Sequence, residues 1–226
     1  MTFVAGPHQT RYDAMLAGVN DALFDAAAVA PGDRVLDVGC GAGTTTRIAA
    51  RLAAPGHAVG VDVSAPLLER ARASTAPEGI ENVTYVCADA RVRPFPAGGY
   101  DVVVSRGGVL SFAGHAAVFR NLARALRPGG RLAFVCTRPP GPHWEGPERV
   151  REVLAGFEEV TVEPVTVEAA RCRDVPDTVE FLLSPLPGGA LPASRLTGLE
   201  EVLLPFATRT GVRIRAGVWL VTAVRP

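Results

Sequence analysis

The stretch Val35-Leu36-Asp37-Val38-Gly39-Cys40-Gly41-Ala42-Gly43-Thr44-Thr45-Thr46 decides how the rest of the chain is read. A short apolar run carrying an acid passes into glycines at alternate positions, and three threonines then open an amphipathic segment. That order reads as strand, tight turn and helix. Alternate glycines permit backbone conformations closed to residues with a Cβ and let a ligand come close to the main chain. The loop is therefore expected to hold something small.

Working outward, the same pattern recurs. Strands are expected at Arg34 to Val38, His57 to Val61, Val83 to Cys87, Val102 to Val104 and Leu132 to Val135. Helices are expected at Thr44 to Leu52, from Ala65 with Ser64 as cap and Pro66 in the first turn, and from about His115. The last carries Val118, Leu122 and Leu126 on one face and stops at Pro128-Gly129-Gly130. Strands alternating with helices at this spacing specify a parallel sheet covered on both faces. Such sheets bind ligands beyond the carboxyl ends of their strands. Asp37, Asp62, Asp89 and the pair Ser105-Arg106 all fall at or just past strand ends, on one rim, while His57 starts a strand at the opposite rim.

The flanks are less regular. His8 to Val29 spaces its apolar residues helically and could cover a sheet edge or form a lid presenting His8, Gln9, Arg11 and Tyr12. After the fifth strand comes a proline-rich loop, Arg138 to Pro147, carrying His143 and Trp144. A short helix from Glu148 to Leu154, a more exposed strand from Val160 to Val167, helices at Thr178 to Leu183 and Leu199 to Leu204, and a long strand from Val212 to Val224 complete the chain. The pattern alone does not set the last strand's direction. The expected organisation is one domain over residues 1–226: a helical lid at 1–30, a ligand-binding core at 31–136, and closing strands at 137–226 with a substrate cap around 169–205.

A chain of 226 residues, 48% hydrophobic and 20% charged, suits one well-filled core. Zero formal net charge gives no global field for nucleic acid or an anionic membrane. No run approaches a membrane span, and the first residues lack a basic start and an apolar signal core, so a cytoplasmic protein is expected. Cys40, Cys87, Cys136 and Cys172 stand far apart with no histidine at ligand spacing, so no metal site is expected. All 23 basic residues are arginine. Without lysine there is no Schiff-base or P-loop lysine chemistry.

A glycine loop after a first strand also fits a dinucleotide, whose fingerprint is G-x-G-x-x-G/A. Here the third glycine, Gly43, comes one place early, and Asp37 stands in front of a loop that would have to accept a pyrophosphate. D-x-G-x-G-x-G over Asp37 to Gly43, with Asp62 and Asp89 at the next two strand ends, instead resembles the class I S-adenosylmethionine-dependent methyltransferases. VGVDVS (59–64), CADA (87–90), YDVVVSRGGVLSF (100–112) and LRPGGRLAFV (126–135) are similar to that family's later motifs. GFEEVTVEP (156–164) and GVWLVTAVRP (217–226) resemble the closing strands of the subgroup related to ubiquinone/menaquinone methyltransferases. The resemblance implies a Rossmann-like α/β fold with a seven-stranded sheet whose last strand runs antiparallel between the fifth and sixth.

It also implies site roles. The backbone of Gly39, Cys40 and Gly41 would cradle the methionine part of S-adenosylmethionine, with Asp37 near its amino group. Asp62 would accept both ribose hydroxyls, Val63 would pack on the adenine face, and Asp89 with the main chain of Ala90 would read the adenine edge. The main chain of Ser105 and Arg106 would close the methionine side, and S-adenosylhomocysteine would be the product. Nucleic-acid and magnesium-dependent catechol branches are disfavoured by Ser105-Arg106-Gly107-Gly108 after the fourth strand and by the lack of acids there. A small organic methyl acceptor, in secondary metabolism, is the partner that remains, with the transfer to O, N or C left open. An acceptor needing a base could use His8, His115 or His143, and Tyr12 or Arg106 could orient an acidic or phenolic one. The alternatives are a methyltransferase-fold protein that keeps its cofactor and catalyses a cyclisation, and a nicotinamide oxidoreductase. The oligomeric state, monomer or homodimer, is left open.

Overall fold

The computed structural model describes residues 17–109, 115–138, 147–183 and 193–226. His8, Tyr12, His143 and Trp144 lie outside the described residues, as do residues 1–16 of the expected lid and 139–146 of the proline-rich loop.

Contact within the chain divides it into two compact units, Asn20–Val165 with Gly217–Pro226, and Met1–Val19 with Thr166–Ala216. The larger unit holds the alternating elements. Helix α1 (Ala17–Ala27) precedes β1 (Arg34–Val38), which the glycine loop joins to α2 (Thr44–Ala53). Then come β2 (His57–Asp62), α3 (Ala65–Thr75), β3 (Val83–Cys87), β4 (Tyr100–Arg106), α4 (His115–Ala125), β5 (Leu126–Arg138) and α5 (Pro147–Val153). The chain closes with β6 (Glu158–Cys172), α6 (Val175–Leu183), α7 (Ala193–Leu203), the two-residue β7 (Ala207–Thr208) and β8 (Gly211–Val224).

The sheet order is β3-β2-β1-β4-β5-β8-β6, with β7 pairing β8. β1 to β5 are mutually parallel, and β8 runs antiparallel to β5 from Arg131 opposite Val224 to Arg138 opposite Gly217. The inserted antiparallel last strand is as the resemblance implied. The sheet has eight strands rather than seven, because Thr208 turns the chain back on itself and lets Ala207 pair with Val212. β6 also runs further than Val160 to Val167; it ends the strand order, where Pro164 is tolerated.

Buried positions follow the sequence periods. β1 buries Val35 to Val38 without interruption, as a strand covered on both faces must. α2 lays Ala49, Ala50 and Ala53 inward, and α4 buries Val118, Phe119, Leu122 and Ala125. Phe119 meets Phe134 of β5 at 5.6 Å between ring centroids. Val118, Phe119, Leu122, Ala125 and Phe134 join Leu36, Leu132, Leu154 and Val221 in one core. Arg131 donates to the carbonyls of Ala27 and Ala28 at the end of α1 and pairs with Asp33, which caps carbonyls a helix leaves unpaired. In the smaller unit Val179, Leu183 and Leu203 form a separate cluster, and Asp174 caps α6 through the N–H of Asp177 at 2.8 Å.

Candidate cofactor site

Register places the acids. Asp37 of β1 lies beside Gly60 of β2 and Val104 of β4, and Asp62 of β2 lies beside Cys87 of β3, so the carboxyl ends of four parallel strands form one rim.

Asp37 is fully buried. Its Oδ2 accepts hydrogen bonds from Thr45 Oγ1 at 2.7 Å and Thr46 Oγ1 at 2.6 Å, while Oδ1 has no partner. Burial pushes its carboxyl up to about 6, against the pull of the two hydroxyls and of the Arg106 charge. The acid is therefore mostly ionised at pH 7, with one oxygen unsatisfied, and such a buried acceptor is costly until a donor reaches it. Thr45 and Thr46, read from sequence only as the start of a helix, are the residues that hold it. The signal was present: two hydroxyls in the first turn after a strand that carries a buried acid.

The loop above is fixed by its own amides. Gly39 and Cys40 N–H donate to Val61 O at 2.8 and 3.2 Å, Gly43 N–H to Cys40 O at 2.9 Å, and Gly41 N–H to Asp62 Oδ2 at 2.9 Å. Gly39 has φ +71, and a Cβ there would sit 2.7 Å from Gly108 Cα, so the β1 and β4 loops touch backbone to backbone. Gly41 has φ +54, and a Cβ there would meet no atom within 4 Å. That side of Gly41 is open, while the amides of Gly39, Cys40, Gly41 and Gly43 are spent within the fold. A pyrophosphate needs free N–H groups and no carboxylate below it. This loop suits a ligand carrying a donor or a positive charge.

Asp62 is half-buried and accepts one amide on each oxygen, Gly41 on Oδ2 and Ser64 on Oδ1, both at 2.9 Å. A carboxylate has about four acceptor positions, so each oxygen keeps one for a further donor. Ser64 stands at the N-cap of α3, yet its side chain makes no cap bond, a correction to the sequence expectation; Asp62 takes the Ser64 amide instead. Next to it Val63 is 57% exposed.

Asp89 differs. Arg91 donates its backbone N–H and Nε to Oδ1 at 2.9 and 3.0 Å, and Nε and Nη2 to Oδ2 at 2.9 and 2.6 Å. The Arg91 guanidinium holds the Asp89 carboxyl below its ordinary value. Ala90 is buried, and its carbonyl accepts from Asn121 Nδ2 at 2.8 Å, as does that of Arg93 at 2.7 Å. Asn121 on α4 thus fastens the loop after β3. Neither Arg91 nor Asn121 was singled out from sequence.

Ser105 Oγ donates to Val38 O at 2.7 Å and accepts from Val109 N–H at 2.9 Å, which ties the β4 loop to the end of β1. Arg106 Nη1 donates to Asn20 Oδ1 at 3.0 Å. Cys40 is buried, and burial pushes its thiol up, as expected of apolar filler. His115 begins α4 and is half-buried; His57 bonds Thr84 Oγ1 at 2.9 Å at the far rim. Among the described residues no group of three or more His, Cys, Asp or Glu could hold a metal ion.

A family model described as a methyltransferase domain matches residues 35–130. Nocamycin O-methyltransferase of Saccharothrix syringae is 32% identical over 207 residues, covering 83% of this chain and 70% of that protein. The chain belongs to the class I S-adenosylmethionine-dependent methyltransferases. The ubiquinone/menaquinone biosynthesis C-methyltransferase UbiE of Ectopseudomonas mendocina is another relative of this methyltransferase, 36% identical over 115 residues, half of this chain and 45% of that one. The chain spans about half the length of the other curated relatives it matches. Among solved structures the [4+2]-cyclase SpnF superposes with a TM-score of 0.65 at 24% identity, covering 92% of this chain and 80% of that one, a likeness of fold. S-adenosylmethionine is the methyltransferase cofactor. The lone Asp37 Oδ1 and the open face of Gly41 fit a ligand with an ammonium group. Among the described residues no helix is long and apolar enough to cross a membrane.

Proposed function

We propose that this methyltransferase moves the methyl group to an oxygen atom of a small organic acceptor. The observations that support the cofactor placement are the unpartnered Oδ1 of buried Asp37 and the open space beside Gly41. In this reading Asp37 Oδ1 accepts the ammonium of the methionine part, and the loop of Gly39, Cys40 and Gly41 lets that part lie against the main chain. The spare positions of Asp62 take the two ribose hydroxyls. Exposed Val63 covers one adenine face, and Asp89 with the Ala90 main chain meets the adenine edge. Ser105 and Arg106 close the methionine side, Ser105 by locking the β4 loop and Arg106 by offsetting part of the charge on Asp37.

Bound S-adenosylmethionine supplies a sulfonium-activated methyl, which needs an aligned nucleophile and exclusion of water. His115, at the start of the helix after β4, is the described side chain suited to take the acceptor's proton. Oxygen is the preferred acceptor atom because the relative covering most of the chain is an O-methyltransferase. A small molecule is preferred to nucleic acid because the chain carries no net charge.

The test is a methyl-transfer screen with labelled S-adenosylmethionine against phenols, enols and carboxylates, with amines and carbon nucleophiles alongside. Methyl ethers or esters are expected. Methylation confined to nitrogen or carbon overturns the oxygen assignment. Tight S-adenosylhomocysteine binding with no methylated product favours a role in which the cofactor is kept, such as cyclisation.

A further inference from the structure

Hydrogen bonding gives the two oxygens of Asp37 different tasks. The Thr45 and Thr46 hydroxyls both donate to Oδ2, at 2.7 and 2.6 Å. Each hydroxyl has one proton to give, and with both directed at Oδ2 that oxygen is held as an acceptor. Oδ1 is buried and has no partner. A proton taken up by this carboxyl therefore resides on Oδ1, the oxygen with no donor against it. It turns a lone acceptor into a donor.

The groups around Asp37 do not force either form on it. Arg106, at the end of β4, favours the ionised carboxylate, and Asp62, at the end of β2, opposes it. In the glycine loop the Cys40 thiol is pushed up by burial and stays neutral. From α2 the facing groups are the two uncharged hydroxyls, while the Arg47 guanidinium is engaged with Ala42 O and with Glu78, both at 3.0 Å. With one cation set against one anion, burial decides, and it brings the protonation of this carboxyl up to about 6.

From this, resting on the proposed seating of the cofactor's ammonium at Asp37, we infer that a proton and the ammonium are alternative occupants of Asp37 Oδ1, so that cofactor binding expels the proton. The step balances: a carboxylic acid and an ammonium ligand give a carboxylate paired with that ammonium and one proton, which passes to the solvent buffer. The ammonium keeps its own protons. Affinity is held above neutral pH and falls as the pH drops through about 6, so acid weakens cofactor binding itself.

The test is calorimetric titration of the full chain with S-adenosylhomocysteine at pH 5, 6, 7 and 8, each in two buffers of different ionisation enthalpy, which counts the protons released. Wild type should release close to one proton per site at pH 5, about half at pH 6 and almost none at pH 8, and should bind about tenfold more weakly at pH 5 than at pH 7. Asp37→Asn should bind more weakly at pH 7, with no proton release and no dependence on pH. Thr45→Val removes one donor from Oδ2 and should move the midpoint of release to higher pH, which a hydroxyl serving only to hold the helix start would not do. S-adenosylhomocysteine stripped of its α-amino group should bind without releasing a proton. Wild-type binding that is equal at pH 5 and pH 7 with no proton released, or release kept in full by Asp37→Asn, overturns the competition and leaves the cofactor placement standing. No binding by wild type at any pH overturns the placement itself.

Discussion

Asp37 and Asp89 are the same residue type near the ends of parallel strands of one sheet, and the protein treats them in opposite ways. Asp37 is sealed in the core, held by two threonine hydroxyls on one oxygen, with the other left without a partner. Asp89 is part-exposed, and Arg91 donates to both of its oxygens. The difference teaches where a binding site can store its demand for a ligand. In the interior an unsatisfied oxygen carries a cost that persists as long as no donor is seated against it. At the surface an arginine or water meets the carboxylate instead.

The comparison breaks most violently at the loop over Asp37. Gly39→Ala places a Cβ 2.7 Å from Gly108 Cα on a backbone with φ +71, and should destabilise the fold by on the order of 3 kcal/mol or more. Gly41→Ala, whose Cβ meets open space, should cost about 1–2 kcal/mol for its left-handed backbone alone. Thermal unfolding of the two variants measures the gap, and equal losses would refute the contact between the β1 and β4 loops.

Next in size is the charge on Asp37. Its folded value of about 6 lies above the ordinary 3.8, so the folded state holds the proton more tightly than the unfolded chain does. The associated stability is present in full below pH 4 and is lost as the pH rises through about 6, a swing of up to about 3 kcal/mol. Asp37→Asn should flatten that slope and raise the unfolding temperature of the ligand-free protein at pH 7, while weakening S-adenosylhomocysteine binding. A variant that keeps the wild-type pH slope would show that Asp37 is not the titrating group.

Smallest is the loop after β3. Asn121→Ala leaves the carbonyls of Ala90 and Arg93 without their donor and should cost about 1–3 kcal/mol of stability. With Asp37 untouched, it should leave the pH slope of stability unchanged. A changed slope would mean that the two ends are not independent.

The framework of this protein was legible in its sequence because strand and helix periods alternate cleanly from Arg34 to Val135 and because each acid falls where a strand runs out. The glycine spacing separated the loop from a dinucleotide fingerprint, and the paired amides of Gly39, Cys40, Gly41 and Gly43 give that separation its physical ground. Partnerships across the fold were harder to read. Asn121 reaches a loop 31 residues away through packing that no local pattern records. The grip of Arg91 on Asp89 is local in sequence, but an arginine two residues past an acid on a loop has many other places to point. Ser64 has the residue type of a helix cap, yet its side chain makes no cap bond.

The most direct measurement is a calorimetric titration of wild type and Asp62→Ala with S-adenosylhomocysteine, with NADH as the comparison ligand. The account predicts one saturable S-adenosylhomocysteine site per chain, weakened by about ten- to a hundredfold in Asp62→Ala through the lost ribose contacts, and no NADH binding. Saturable NADH binding without S-adenosylhomocysteine binding, or an Asp62→Ala variant that is folded and binds like wild type, would contradict it.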